Sequence, residues 1–214
     1  MTATQTRTET PRRRQAARRR GGSKLLNAVL GLAFAGGAVG IQTLALTADD
    51  KGSPLTYVGD KGQEVSAGRF SVRVKTIESA KAIRAKDELV ETDQLFLVLG
   101  VEASAPSEPL HLKPPTLLTP DGTRYTATDR VDKSVTLANP WIQPGWWSTG
   151  SFVFEVPASA LVGARAVFLE EKGLGGALYG DPVLPEAEVD LGIDEGVAGQ
   201  LASAPKDVYP LGEK

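Results

Sequence analysis

The chain has 214 residues, one histidine, no cysteine and a formal net charge of −2. The absence of cysteine excludes disulfides, thiol chemistry and cysteine-ligated zinc. Residues 1–24 carry a net charge of +7 and residues 25–48 carry none, so the remainder must sum to −9. This acidic remainder makes nucleic acid a poor partner, because phosphate binding requires clustered Lys and Arg on the folded surface.

Residues 25–46 form an apolar run of 22 residues without a charge. A helix of that length reaches about 33 Å, enough to cross a hydrocarbon core of about 30 Å. We therefore predict one transmembrane helix at residues 25–46. It follows a disordered basic tail, residues 1–24, whose arginines attract anionic lipid headgroups. Because positive charge stays in the cytoplasm, we expect the tail inside and the chain after the helix outside the cell membrane.

Two features of this run have alternative interpretations. Cleavage near Ala48 would make the run a signal peptide, but its length exceeds the roughly 7–15 apolar residues of such peptides. A retained membrane anchor is therefore favoured. Gly36 and Gly40 form a GxxxG pattern that lets two helices pack closely and predicts a homodimer. The alternative is that glycine is simply common in membrane helices.

The chain after the run alternates between short apolar segments and turn signals. Residues 47–56 are a polar tether, and we expect one folded domain over residues 57–193. Residues 70–75 alternate apolar and polar side chains, which predicts a strand with one buried face. Leu95–Val101 is apolar on both faces, which is typical of a central strand covered from each side. Pro120-Asp121-Gly122 predicts a hairpin turn, because Pro presets φ and Gly accepts positive φ.

Other segments complete the predicted fold. Further strands are predicted at residues 152–156, 165–170 and 187–191, and Pro157 should end the first of them. Ser79–Val90 is the best candidate for a helix, and residues 194–214 are predicted to be a flexible tail. Several short strands separated by Gly and Pro predict a mainly β fold, an antiparallel β-sandwich.

The order of these motifs resembles a telokin-like, immunoglobulin-like extracytoplasmic domain of unknown function that occurs in Gram-positive lipoproteins and membrane-anchored proteins. The matching segments are Gly68–Val74, Asp93–Glu102, Leu117–Tyr125, and Pro144-Gly145 followed by Phe152–Pro157. The resemblance implies an immunoglobulin-like sandwich with an extracytoplasmic location, and it implies no catalytic residue and no cofactor. The chain departs from the family pattern where a spanning helix replaces the usual lipid-modified Cys.

Catalysis could depend on His111, the only histidine. A hydrolase triad would need it beside Asp121 or Asp129 and a serine such as Ser134. A lone histidine between Leu110 and Leu112 is more often structural or exposed, so we expect no catalytic site and no zinc site.

The acidic residues offer no calcium motif. Asp129 and Asp132 are close in sequence, and Glu186, Glu188 and Asp190 alternate along a predicted strand, but neither group matches an EF-hand loop. The alternating set more simply covers a solvated strand face. We therefore predict no metal and no cofactor.

All three tryptophans, Trp141, Trp146 and Trp147, fall within seven residues around Pro144-Gly145. Exposed tryptophan beside a rigid turn predicts a partner-binding site, because Trp is enriched at interface hot spots. In the strand register running back from Phe152, Trp146 would face the core and Trp147 the other way. The alternative is that at least two of the three pack in the core of the sandwich.

The sequence thus predicts a non-enzymatic, membrane-anchored extracytoplasmic module that binds an unidentified protein or envelope ligand, as an accessory subunit of a membrane or cell-envelope complex. The alternatives are a secreted soluble binding protein, produced by cleavage near Ala48, and a hydrolase that uses His111.

Overall fold

The computed structural model describes residues 55–171 and 185–212, together with Val29. The predicted tail at 1–24, the predicted membrane helix at 25–46 apart from Val29, and residues 47–54 of the tether lie outside the described residues. Within the part that is described, no helix is both long and apolar enough to cross a bilayer. The strands are β1 (Thr56–Asp60), β2 (Val65–Ser66), β3 (Ser71–Ala85), β4 (Glu88–Ser104), β5 (Thr116–Leu118), β6 (Arg124–Thr126), β7 (Ser148–Val156), β8 (Arg165–Leu169), β9 (Glu186–Asp190) and β10 (Lys206–Leu211). One α-helix, α1 (Glu195–Ser203), and two short 3-10 helices, Lys133–Val135 and Ala158–Ala160, complete the elements of the described ranges.

The strands form two facing sheets. One has the order β1-β9-β8-β5-β6 and the other β10-β3-β4-β7, with β2 paired to β3. Phe152 of β7 and Phe168 of β8 meet between the sheets, with ring centroids 6.1 Å apart. The predicted β-sandwich is therefore confirmed, but it is not wholly antiparallel. The pairs β1–β9 and β10–β3 are parallel.

The central hairpin β3–β4 confirms both strand predictions made for it. Phe70, Val72 and Val74 are buried, whereas Lys75 is exposed. Leu97 and Leu99 pack between the sheets, while Phe96 and Val98 pack in a second apolar cluster on the outer face of the sheet. Val131 and Leu211 join this second cluster. The β4 strand is consequently covered on both faces, as its unbroken apolar sequence predicted.

The turn prediction is also confirmed. Thr119 to Thr123 connects β5 to β6, and Gly122 has φ of 86°. The hydroxyl of Thr119 donates to the Asp121 carboxylate, which also accepts from the backbone N–H of Thr123. These hydrogen bonds, that of Thr119 foremost, hold the pKa of Asp121 below its ordinary value. Strand β7 ends at Val156, directly before Pro157, as predicted.

The helix predicted at Ser79–Val90 is wrong. These residues form the closed end of the β3–β4 hairpin, and Lys86 in its turn has φ of 55°. Residues 80–85 pair with β4 on one side and with β10 on the other. Tertiary pairing on both sides therefore outweighs a weak local helical pattern.

The flexible tail predicted at residues 194–214 is wrong for residues 194–212, which contain α1 and β10. Asp194 caps α1 by accepting a hydrogen bond from the N–H of Val197 at 2.8 Å. Strand β10 then pairs with β3, and Leu211 is buried in the outer cluster. The buried hydroxyl of Ser79 donates to the carbonyl of Leu201 at 2.6 Å and so joins α1 to β3. The segment is ordered by contacts with residues more than 100 positions earlier in the chain, which a local pattern does not encode.

Candidate binding surface

The segment 139–147 is attached to the chain that follows β4 by backbone hydrogen bonds. Ile142 pairs with Leu110, with N–O distances of 2.8 and 3.2 Å. Gly145, with φ of 73°, donates its N–H to the carbonyl of Ala105 at 3.1 Å. Ile142 is fully buried in the core. The segment therefore contributes Ile142 to the sandwich and presents its neighbouring side chains outward.

The three tryptophans are among the side chains presented outward. Trp141 is 56 % exposed, Trp146 75 % and Trp147 40 %. The prediction that Trp146 faces the core is wrong, and so is the alternative that at least two of the three are core residues. Strand β7 begins only at Ser148. The inward and outward alternation of side chains, counted back from Phe152, consequently does not extend to Trp146. We call Trp141, Trp146 and Trp147 the tryptophan surface.

Trp141 stands against His111. The two ring centroids are 4.0 Å apart with an interplanar angle of 47°. Trp141, Pro109 and Gln143 line a shallow pocket of about 420 Å³ next to this pair. The Nδ1 atom of His111 is buried and has no hydrogen-bond partner among the described residues. His111 thus packs against the Trp141 ring, which agrees with the structural role expected of a lone histidine, although the sequence did not indicate its partner.

Trp147 is held by Arg73 of β3. The guanidinium carbon lies 4.8 Å from the ring centroid, within cation–π range. Arg73 itself is paired with Glu102 at 3.1 Å and with Glu64 at 3.7 Å. The ring therefore rests on a side chain that is fixed by two carboxylates. The strand alternation places Arg73 on the outer face of its sheet, but nothing in the sequence connects it to a tryptophan 74 positions away.

The proposed members of a catalytic triad make separate contacts. Asp121 is engaged within the β5–β6 turn. Ser134 donates its N–H to Asp132 and accepts from Lys86, at 2.8 and 2.6 Å. His111 contacts Trp141 instead. The hydrogen bonds of the described ranges thus do not assemble a Ser-His-Asp triad.

The alternating carboxylates of β9 do not cover a solvated face. Glu186 and Glu188 are each 8 % exposed. Glu186 accepts a hydrogen bond from the hydroxyl of Thr56 at 2.6 Å, and Glu188 is paired with Arg165. These partners satisfy charges that would otherwise be costly to bury. In residues 55–171 and 185–212, no group of three or more His, Asp or Glu side chains could hold a metal ion.

Comparison with known proteins found similarity at the level of structure. The sequence matches no family model, and no curated protein matches it. Similar solved structures include the yjhA protein from Bacillus subtilis, with 12 % identity, 62 % of this chain and 98 % of that chain covered, and a TM-score of 0.47. The secreted protein MPT63 from Mycobacterium tuberculosis has 15 % identity, coverage of 64 % and 97 %, and a TM-score of 0.40. An uncharacterised β-sandwich protein from Clostridium difficile has 9 % identity, coverage of 64 % and 95 %, and a TM-score of 0.38.

Proposed function

We propose that this protein is a non-enzymatic binding module that captures a protein or envelope component through the tryptophan surface. In this proposal, residues 25–46 anchor it in the cell membrane by a single helix. The immunoglobulin-like, telokin-like sandwich then lies on the extracytoplasmic side, where the module serves a membrane or cell-envelope complex.

One observation carries the proposal, namely that all three tryptophans of the chain are exposed within one segment of seven residues. Exposed tryptophan leaves a large apolar area in water, an unfavourable arrangement that a binding partner would relieve. His111 and Arg73 hold two of the rings in place. Fixed side chains lose little conformational entropy on binding, which favours affinity.

Crosslinking of the full-length chain in its native membrane tests the proposal. Trp146→Ala should reduce the crosslinked partner at least about tenfold, since tryptophan hot spots often contribute 2 kcal/mol or more. Tyr57→Ala is the matched control. It removes another exposed aromatic side chain, 41 % exposed, from β1, and should leave capture unchanged. Equal capture by wild type and the Trp146 variant would refute a binding role for this surface.

The anchoring part of the proposal has a separate test. An intact amino terminus should be found in the membrane fraction, and protease added to whole cells should cleave the folded domain. If the amino terminus instead began near residue 49 in the medium, the secreted form produced by cleavage near Ala48 would replace the anchored one.

A further inference from the structure

A groove of about 530 Å³ crosses the outer face of the β3–β4–β7 sheet. Thr76, Gly100 and Thr149 contribute its floor, and the segment around Thr136 together with Tyr209 contributes its walls. A Cβ at Gly100 would collide with Oγ1 of Thr76. Glycine at this position therefore leaves room for the Thr76 side chain. The volume is within the range of about 300–1,000 Å³ that is usual for small-molecule sites.

The chemistry of the groove is unusual for this chain. None of its 13 lining residues is charged, although charged residues make up 23 % of the sequence. Six of them carry a hydroxyl group and one, Asn139, carries an amide. The side chains of Thr76, Thr149 and Ser151 make no hydrogen bond with any part of the chain that the structure describes, so their donors and acceptors can serve a ligand.

An aromatic side chain, Trp147, precedes the lining residue Thr149 by two positions, although it is not itself a lining residue. Arg73 of β3, Glu102 of β4 and Thr149 of β7 are cross-strand partners, so they share the outer face of the sheet. Arg73 carries the Trp147 ring, and Thr149 lines the groove. Trp147 is thus placed next to the hydroxyl-lined floor, with one face on the guanidinium group and the ring still 40 % exposed.

We propose that this groove binds a neutral oligosaccharide, whose hydroxyl groups pair with the threonine and serine side chains while one sugar ring stacks on Trp147. The inference goes beyond the proposed function by adding a second site, which shares Trp147 with the tryptophan surface. Phosphorylated headgroups, nucleic acid and acidic polymers are disfavoured, because no lining residue carries a charge and the nearby Arg73 and Lys86 are already paired with carboxylates. A wholly apolar ligand is disfavoured because it would leave the hydroxyl groups unpaired.

The test uses the full-length chain in phosphatidylcholine nanodiscs, without sugar-based detergent, titrated calorimetrically with neutral and acidic oligosaccharides. The neutral probes are hexamers of glucose, mannose and N-acetylglucosamine, and the acidic probe is a hexamer of galacturonic acid. We expect at least one neutral hexamer to bind and the acidic hexamer not to bind. Absence of binding by all three neutral probes, or tighter binding of the acidic one, would overturn the inference.

Substitutions locate the site. Trp147→Ala should weaken binding of the neutral hexamer at least about tenfold. Thr149→Val keeps the side-chain shape and removes one hydroxyl, so it should weaken binding roughly two- to tenfold. Thr126→Val, which makes the same change at an exposed threonine of the other sheet, should bind like wild type. If Thr149→Val also bound like wild type, the groove would not be the site.

The two proposals fail separately. Loss of partner crosslinking in Trp146→Ala without any sugar binding would support the tryptophan surface and refute the groove. If sugar binding depended on Thr149 and crosslinking were unchanged in Trp146→Ala, the groove would be supported and the tryptophan surface refuted.

Discussion

Trp146→Ala should leave stability nearly unchanged and Ile142→Ala should lower it strongly, although the two residues belong to the same short segment. Trp146 is 75 % exposed, and substitutions of exposed side chains usually change the free energy of unfolding by less than about 0.5 kcal/mol. Ile142 is fully buried, and truncating a buried isoleucine to alanine costs about 2–5 kcal/mol, since a cavity remains in the core.

Thermal unfolding followed by far-ultraviolet circular dichroism measures the difference. For a domain of this size, each kcal/mol shifts Tm by about 2–4 °C, so a loss of 3 kcal/mol in Ile142→Ala should lower Tm by about 6–12 °C. Trp146→Ala should remain within about 2 °C of wild type by the same conversion. A Tm for Trp146→Ala as low as that of Ile142→Ala would show that the tryptophan is a core residue and would refute the assignment of the segment.

Three further predictions concern the parts of the fold that surround the site. Gly122→Ala places a Cβ at φ of 86° and should destabilise the domain by about 1–2 kcal/mol in urea unfolding, whereas a change below the error of the measurement would contradict the turn. Leu211→Ala should cost about 2 kcal/mol or more and speed amide exchange in the β3 residues that pair with β10, because the side chain is buried in the outer cluster. Burial would raise the pKa of Glu155, but hydrogen bonds from Thr92 and Arg130 outweigh it, so the net pKa is lowered. A lowered folded pKa stabilises the protein above the ordinary glutamate range and less as the pH falls through it. Wild type should therefore lose stability relative to Glu155→Gln on acidification, and parallel pH profiles would contradict this.

Local patterns in the sequence were sufficient for much of the sandwich. The alternation at residues 70–75 predicted a strand with one buried face, and the apolar run Leu95–Val101 predicted a strand covered on both. Pro120-Asp121-Gly122 predicted the hairpin. These features depend on side-chain periodicity and backbone φ preference, which act between residues close together in the chain, so a single sequence contains them.

The binding surface required the tertiary structure. The presence of three tryptophans within seven residues is a property of the sequence, but their exposure depends on the pairing of Ile142 with Leu110. Arg73 reaches Trp147 only because β3 and β4 place it beside the start of β7. The ordered structure of residues 194–211 depends in the same way on pairing with the distant strand β3. Contacts between residues far apart in the chain are determined by which strands become neighbours, and strand pairing minimises the free energy of the whole fold rather than of any one segment.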